Sequence, residues 1–237
     1  SGRQVQGGLE GISIIPDSLV AISKAITAAY LSSEGNAFTP RTANQIVQEH
    51  FNPGEAGQPG GPLFGVQFSS LPCSDLTRRY TGALAASAGP HRAPLGLSAD
   101  PGAVPLYRDG VLIGGVGVIA DGVYGADLDI RDNDQSLDEL IAVAAQAGLA
   151  PPADRRADRI TVDGKTLRYS DAESTDLLSN PALAAPFASL PAGTGSLVAV
   201  PGYTDALVRA GTVFGNAASG VRPASTNFAD LDGFVLV

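Results

Sequence analysis

Two apolar stretches joined by Asp109-Gly110 constrain the fold of this chain more than any other feature. Val104–Arg108 precede the Asp-Gly pair, and Val111–Ile119 follow it. An Asp-Gly pair between apolar runs is typical of a two-residue hairpin turn with positive φ at both positions. The second run is apolar at nearly every position and carries no charge, so we expect both of its faces to be covered. The sequence therefore predicts a central antiparallel ribbon shielded by other elements.

Three glycines in that ribbon (Gly114, Gly115 and Gly117) indicate that something packs very close to it. The stretch from Gly115 to Ala120 also matches the dinucleotide fingerprint, but Asp121-Gly122 follows where that motif requires a helix. We therefore expect the glycines to accommodate a helix, a partner strand or a flat ligand. A glycine-rich apolar strand with unpaired backbone groups would be prone to aggregation, and only about sixteen residues precede the first predicted helix. Strands beside the ribbon are then expected from an upstream segment, from a partner chain, or from the tail at 196–200 and 233–237.

Three helices are predicted from apolar spacing and capping residues. The first runs from Asp17 or Ser18 to about Ser33, is apolar on most sides and has Lys24 as its only cation. The second begins at Thr39-Pro40 and extends to about Phe51. The third runs from Ser136 to Gly148, with Ser136 and Glu139 as a capping box. A second Asp-Gly hairpin is predicted at Asp163-Gly164.

Charge and composition exclude several functional classes. The net charge of −9 disfavours nucleic acid as a partner, and no stretch is apolar enough to span a membrane. The lone cysteine, Cys73, excludes an internal disulfide. The two histidines, His50 and His91, do not form a metallohydrolase motif, and no nucleophile elbow is present. Of the two, His50 is the better ligand candidate because it ends an amphipathic helix beside an aromatic residue.

An acidic run follows the ribbon and is a candidate calcium site, because carboxylate oxygens are the ligands that calcium prefers. Its residues are Asp127, Asp129, Asp132 and Asp134. The run is not an EF-hand loop, since Leu137 and Val143 occupy the required glycine and glutamate positions. Two interpretations stay open: an irregular calcium site, or a solvated loop whose carboxylates favour the N-terminus of the next helix.

Three stretches together resemble the GlcG/HbpS haem-binding family. They are the "GGPLFG" stretch at residues 60–65, the "PL-x-x-DG-x-x-x-GGVGV" hairpin at 105–118 and the "DE-x-x-A" helix beginning at Asp138. The helix around Lys24 is similar to that family's lysine-bearing helix. The resemblance covers about residues 17–148, and the hairpin is its most specific part.

The resemblance implies a profilin-like α+β fold at 1–150, with an antiparallel sheet flanked by helices, whose opening strands the sixteen residues before the first helix are too few to supply. Residues 151–237 lie beyond the resemblance and are expected to form an irregular, loop-rich extension with a β-hairpin and short strands. It further implies homo-oligomers and a segment of a longer bacterial protein exported to the periplasm or medium. It implies haem or a related tetrapyrrole as ligand. The side chains expected near such a ligand are Lys24, His50, Leu63, Phe64, Tyr107, Arg108, Gly114, Gly115 and Gly117. In this scheme Lys24 or Arg108 contacts a propionate, and His50, Tyr107 or Lys24 approaches the iron.

Two other functions remain open. The chain could be a structural or assembly module that keeps the fold without a ligand, or an accessory small-molecule oxidoreductase. The second ranks last because no acid, base and nucleophile can be identified as a catalytic set.

Overall fold

A computed structural model describes residues 2–5, 14–64, 95–198, 221–223 and 234–236, with side-chain surroundings for 15–64 and 95–198. The fold is mixed α+β, with short antiparallel pairs, helices and a loop-rich C-terminal region, as the sequence predicts. The chain divides into two compact units, residues 1–202 and 203–237. Gly65 of the "GGPLFG" stretch, Cys73 and His91 lie outside the described residues.

The central hairpin forms where the sequence predicts it. Strand β3 (Ala103–Arg108) pairs antiparallel with β4 (Val111–Gly117). Asp109 and Gly110 both have positive φ, 52° and 79°, as a two-residue turn of this kind requires. The register shifts between Leu106 and Tyr107, so β4 carries one extra residue at a bulge.

Helix α1 (Asp17–Tyr30) covers one face of the hairpin. Its backbone lies against the glycines of β4: a Cβ on Gly115 would approach the Ala25 carbonyl oxygen to 2.5 Å, and one on Gly117 would overlap the Ala21 carbonyl oxygen. Of the three expected neighbours of these glycines, the structure therefore places a helix there.

The main core also includes residues of helices α2 (Pro40–Val47) and α3 (Leu137–Ala145). Ile46 of α2 and Ala142 of α3 belong to the same buried cluster as Val104 and Tyr107 of the hairpin. Thr39 caps α2 with a complete capping box formed with Thr42. Within the described residues, no helix is long and apolar enough to cross a membrane.

The N-terminal residues provide two strands, so the expectation that they are too few is wrong. Strand β1 (Gly2–Val5) pairs antiparallel with β2 (Ile14–Pro16) and parallel with β5 (Val123–Tyr124). In the part of the chain that the structure describes, no strand pairs with the outer edge of β4. A separate pair, β8 (Val221–Pro223) and β9 (Phe234–Leu236), lies in the second unit.

The first part of the C-terminal extension completes the main core. Strands β6 (Thr161–Val162) and β7 (Lys165–Thr166) form the predicted hairpin, and Asp163 and Gly164 have φ of 49° and 77°. Ala157, Leu167 and Tyr169 are buried in the same cluster as the helices. From Ser174 onward the backbone forms single 3₁₀ turns, at Ser174–Asp176, Pro181–Leu183 and Phe187–Ser189.

Candidate functional site

The residues expected near haem fall into two groups that belong to different parts of the fold. Lys24, Tyr107, Gly115 and Gly117 lie where α1 packs on the hairpin. His50, Leu63 and Phe64 belong to the segment after α2, residues 48–64. Arg108 is exposed at the end of β3, and a Cβ on Gly114 would meet no other atom within 4 Å.

Lys24 is completely buried and its ammonium group is used inside the protein. Nζ donates to the Val118 carbonyl at 2.8 Å and to Asp138 Oδ2 at 2.6 Å, and it forms an ion pair with Asp100 Oδ2. The ammonium group therefore makes two hydrogen bonds and an ion pair inside the protein. In this conformation its charge is already balanced by internal carboxylates and not by a propionate of a ligand.

Asp100 and Asp138 extend this ion-pair cluster to neighbouring loops. Asp138 Oδ1 accepts the N–H of Ala120 at 2.6 Å, and Asp100 Oδ1 accepts the N–H of Gly125 at 2.9 Å. Burial raises the pKa of Asp100 to about 6, although the positive charge of Lys24 acts to lower it. The cluster ties α1 to α3 and to the segment that follows β4.

Tyr107 is likewise occupied by the protein itself. Its ring belongs to the core, and its hydroxyl lies 2.7 Å from the Ser33 carbonyl and 2.8 Å from the Asn36 carbonyl. The faces of Gly115 and Gly117 are covered by α1. The structure therefore shows helix packing where a ligand slot along these glycines is expected.

The segment 48–64 folds back on itself and holds His50 in a defined orientation. Phe51 N–H donates to the Pro59 carbonyl at 2.7 Å, and Leu63 N–H donates to the Ile46 carbonyl at 2.9 Å. The half-buried His50 ring places Nδ1 2.8 Å from the Gln58 carbonyl oxygen. A carbonyl oxygen can only accept, so Nδ1 carries the proton, and in the neutral ring Nε2 has a free lone pair.

Three of the four predicted calcium ligands come together in the structure. One oxygen from each of Asp127, Asp132 and Asp134 lies within 4.8 Å of the others. Asp129 instead forms two contacts with the exposed Arg131, at 2.6 and 2.5 Å. The cluster is thus smaller than the acidic run suggests.

Two of these carboxylates, Asp127 and Asp134, form ion pairs with Arg41, which sequence reasoning missed. Its buried guanidinium makes a bidentate contact with Glu139, with both N–O distances 2.9 Å. Its Nη1 also lies 2.7 Å from Asp127, 3.3 Å from Asp134 and 3.2 Å from Asp171. Burial alone would lower the pKa of Arg41, but the hydrogen bonds and negative charge of Glu139 raise it.

Arg41 bears directly on the calcium interpretation. Burial raises the pKa of Asp127, which Arg41 acts to lower. Since the guanidinium already lies between Asp127 and Asp134, it supplies positive charge that a bound cation would otherwise provide. Carboxylate oxygens suit calcium chemically, and calcium binding here stays a prediction.

Comparison with known proteins returned no matching family model, no matching curated protein and no matching solved structure.

Proposed function

We propose that this chain is a non-catalytic haem- or tetrapyrrole-binding protein, with His50 as the axial ligand. The proposal includes the location implied by the resemblance to the GlcG/HbpS family, outside the cytoplasm. It reduces the predicted site to the segment 48–64, because Lys24 and Tyr107 are engaged inside the protein.

The observation that carries the proposal is the contact between His50 Nδ1 and the Gln58 carbonyl at 2.8 Å. A ligating imidazole commonly donates its other N–H to a backbone carbonyl, which fixes the tautomer and the ring orientation. His50 meets this condition before any metal is bound.

Apolar surface on the same segment supports binding of a flat, apolar macrocycle. Leu63 and Phe64 are exposed, with 61% of Phe64 accessible. The ring of Phe64 lies over Gly60, where an added Cβ would come within 2.8 Å of it. Exposed aromatic and aliphatic side chains of this kind offer apolar surface against which a haem macrocycle can pack.

Haem titration followed by absorption spectroscopy tests the proposal. We expect the wild type to give a shifted Soret band that saturates at one haem per chain. His50→Ala should abolish the shift, and Phe64→Ala should weaken binding several-fold. His91→Ala is the matched control and should behave as the wild type.

The results can also overturn the proposal. If the wild type shows no Soret shift, the chain is not a haem-binding protein. If His91→Ala loses the shift while His50→Ala keeps it, the axial ligand is misassigned.

A structural or assembly module without a ligand is the second candidate. The internal use of Lys24, Tyr107 and the two covered glycines favours it, because these residues then serve the fold alone. A wild type that assembles and gives no Soret shift would support this function over haem binding.

A further inference from the structure

A cavity of about 730 Å³ lies between the end of helix α3 and residues 173–182 of the C-terminal extension. Val143, Leu177 and Pro181 are half-buried in its lining and give it an apolar wall. None of its lining residues belongs to the segment 48–64. Small-molecule sites in proteins are typically cavities of about 300–1,000 Å³ with apolar walls and a few polar groups.

Two buried polar side chains, Gln146 and Tyr169, also lie in this lining. Gln146 is 6% exposed, and its Nε2 donates to the Pro105 carbonyl at 2.6 Å and to the Tyr169 hydroxyl oxygen at 3.0 Å. Because a carbonyl can only accept, the contact with Pro105 determines which end of the amide is the nitrogen. Both hydrogens of Nε2 are therefore used.

This arrangement leaves one acceptor and one donor beside each other. Among the described residues, nothing donates to Gln146 Oε1, and the Tyr169 hydroxyl accepts from Gln146 without donating in turn. Buried polar groups are nearly always hydrogen-bonded, because an unmade hydrogen bond is costly. A single group that both donates and accepts can serve Oε1 and the hydroxyl together, since Nε2 of the same amide lies 3.0 Å from that hydroxyl.

The charges in the lining favour a neutral occupant. Arg156 and Glu173 both line the cavity, and they pair with each other at 2.6 Å. The guanidinium also pairs with Asp158 at 2.9 Å and lies 4.5 Å over the Tyr169 ring. With two carboxylates beside it, this guanidinium has no unbalanced positive charge with which to attract an anion.

We propose that the cavity binds a neutral small molecule that has an apolar body and one group, such as a primary amide, that both donates and accepts. The group accepts from the Tyr169 hydroxyl and donates to Gln146 Oε1, while the apolar body lies against Val143, Leu177 and Pro181. The site is separate from the segment proposed for haem, so either proposal can fail without the other.

Titration of the isotope-labelled full chain with three related probes, followed by NMR of its backbone amides, tests the proposal. The probes are phenylbutyramide, its N,N-dimethyl derivative, which accepts but cannot donate, and the anion phenylbutyrate. We expect phenylbutyramide to give saturable shifts at Val143, Gln146 and Leu177. The dimethyl derivative and the anion should each bind at least about fivefold more weakly, because each loses a hydrogen bond or has no cation to pair with.

A pair of matched variants examines the polar contact. Tyr169→Phe removes the hydroxyl and keeps the ring under Arg156, and it should raise the Kd of phenylbutyramide at least about fivefold. Tyr124→Phe makes the same change in the other buried cluster and should keep the wild-type Kd. Leu177→Ala removes part of the apolar wall and should also weaken binding.

Three results would overturn the proposal: no saturable shift in the wild type, equal Kd values for the three probes, or equal Kd values for Tyr169→Phe and Tyr124→Phe. Equal affinity of the amide and its dimethyl derivative would mean that Gln146 Oε1 takes no part in binding. The NMR spectrum of each variant shows whether it is folded. If Tyr169→Phe does not fold, the probe series on the wild type and on Leu177→Ala decides.

Discussion

At the scale of single residues, buried charge dominates this protein. Lys24 and Arg41 are among the largest fully buried side chains, and each is surrounded by carboxylates from distant parts of the sequence. A buried charge without a partner is strongly destabilising, so these groups must act together. The two ion-pair groups link α1 and α2 to α3 and to the loops that carry the other carboxylates.

Replacing Arg41 with Leu should destabilise the fold severely. Glu139, Asp127 and Asp171 would then lie close together without a cation, and breaking such a buried pair costs about 3–5 kcal/mol. Urea denaturation measures the change. Arg131→Leu is the control, because that exposed pair with Asp129 should contribute no measurable stability. Equal effects of the two substitutions would contradict the structural role of Arg41.

Asp100 should make stability depend on pH in an unusual direction. Its pKa is raised to about 6, so the folded state holds a proton that the unfolded chain has already lost above pH 4. Relative to Asp100→Asn, the free energy of unfolding of the wild type should therefore fall as pH rises from 4 to 6, by about 3 kcal/mol at most, and then level off. Chemical denaturation at four pH values between 4 and 7 measures this difference. A difference that is flat or that rises with pH would show that Asp100 is ionised throughout.

The sequence predicted only part of these buried ion pairs. Lys24 stood out as the single cation on an otherwise apolar helix, and such a residue needs a buried partner. Its partners Asp100 and Asp138 were not found, because they lie far along the chain and no local spacing links them. Arg41 gave no signal, since an arginine near a helix start is ordinarily exposed.

At the scale of elements, the close contact between α1 and β4 organises the first unit. Local patterns were sufficient to predict the hairpin, its turn and the start of each helix, because turn and capping chemistry act over a few residues. Only one of the two contacts of the capping box predicted at Ser136 is present. Ser136 Oγ accepts the Glu139 N–H at 3.3 Å, while the Glu139 carboxylate binds Arg41. The Glu139 carboxylate thus pairs with Arg41 of another helix and does not complete the local capping contact.

Gly117→Ala should loosen this contact. The new methyl group would overlap the Ala21 carbonyl oxygen and approach the Ala25 nitrogen to 2.7 Å, so α1 would have to move away from β4. We expect a loss of about 1–3 kcal/mol, which is typical of overpacking. The midpoint of thermal unfolding measures it.

Gly35→Ala is the matched control for this substitution. Its added methyl group would meet only the Ser33 hydroxyl, at an ordinary distance of 3.7 Å. A Gly117→Ala variant as stable as this control would mean that α1 does not pack against the strand as the structure has it.

At the scale of the whole molecule, the chain consists of two units with their boundary after residue 202. The sequence contains no signal that predicts this boundary, and it did not predict strand β1. Strands of three or four residues carry too little periodicity to be recognised. The pairing of β1 with β5 joins residues that are more than a hundred positions apart in the sequence.

A chain that ends at Gly202 should fold on its own. The first unit contains both buried clusters and the two buried ion-pair groups. We expect its unfolding midpoint to stay within about 2 °C of that of the full chain, because its core is intact. Differential scanning calorimetry measures both. A broad or absent transition in the shortened chain would show that residues 203–237 are required for the first unit to fold.

The main core joins early and late parts of the chain, which affects folding during synthesis. Ala37 forms a bridge with Arg156, and the Thr39 hydroxyl donates to the Tyr169 carbonyl at 2.6 Å. A nascent chain therefore cannot close this core until residue 169 has left the ribosome, and its early helices emerge long before that moment. Until then the apolar side chains of this core stay exposed to solvent, and transiently exposed apolar surface favours aggregation.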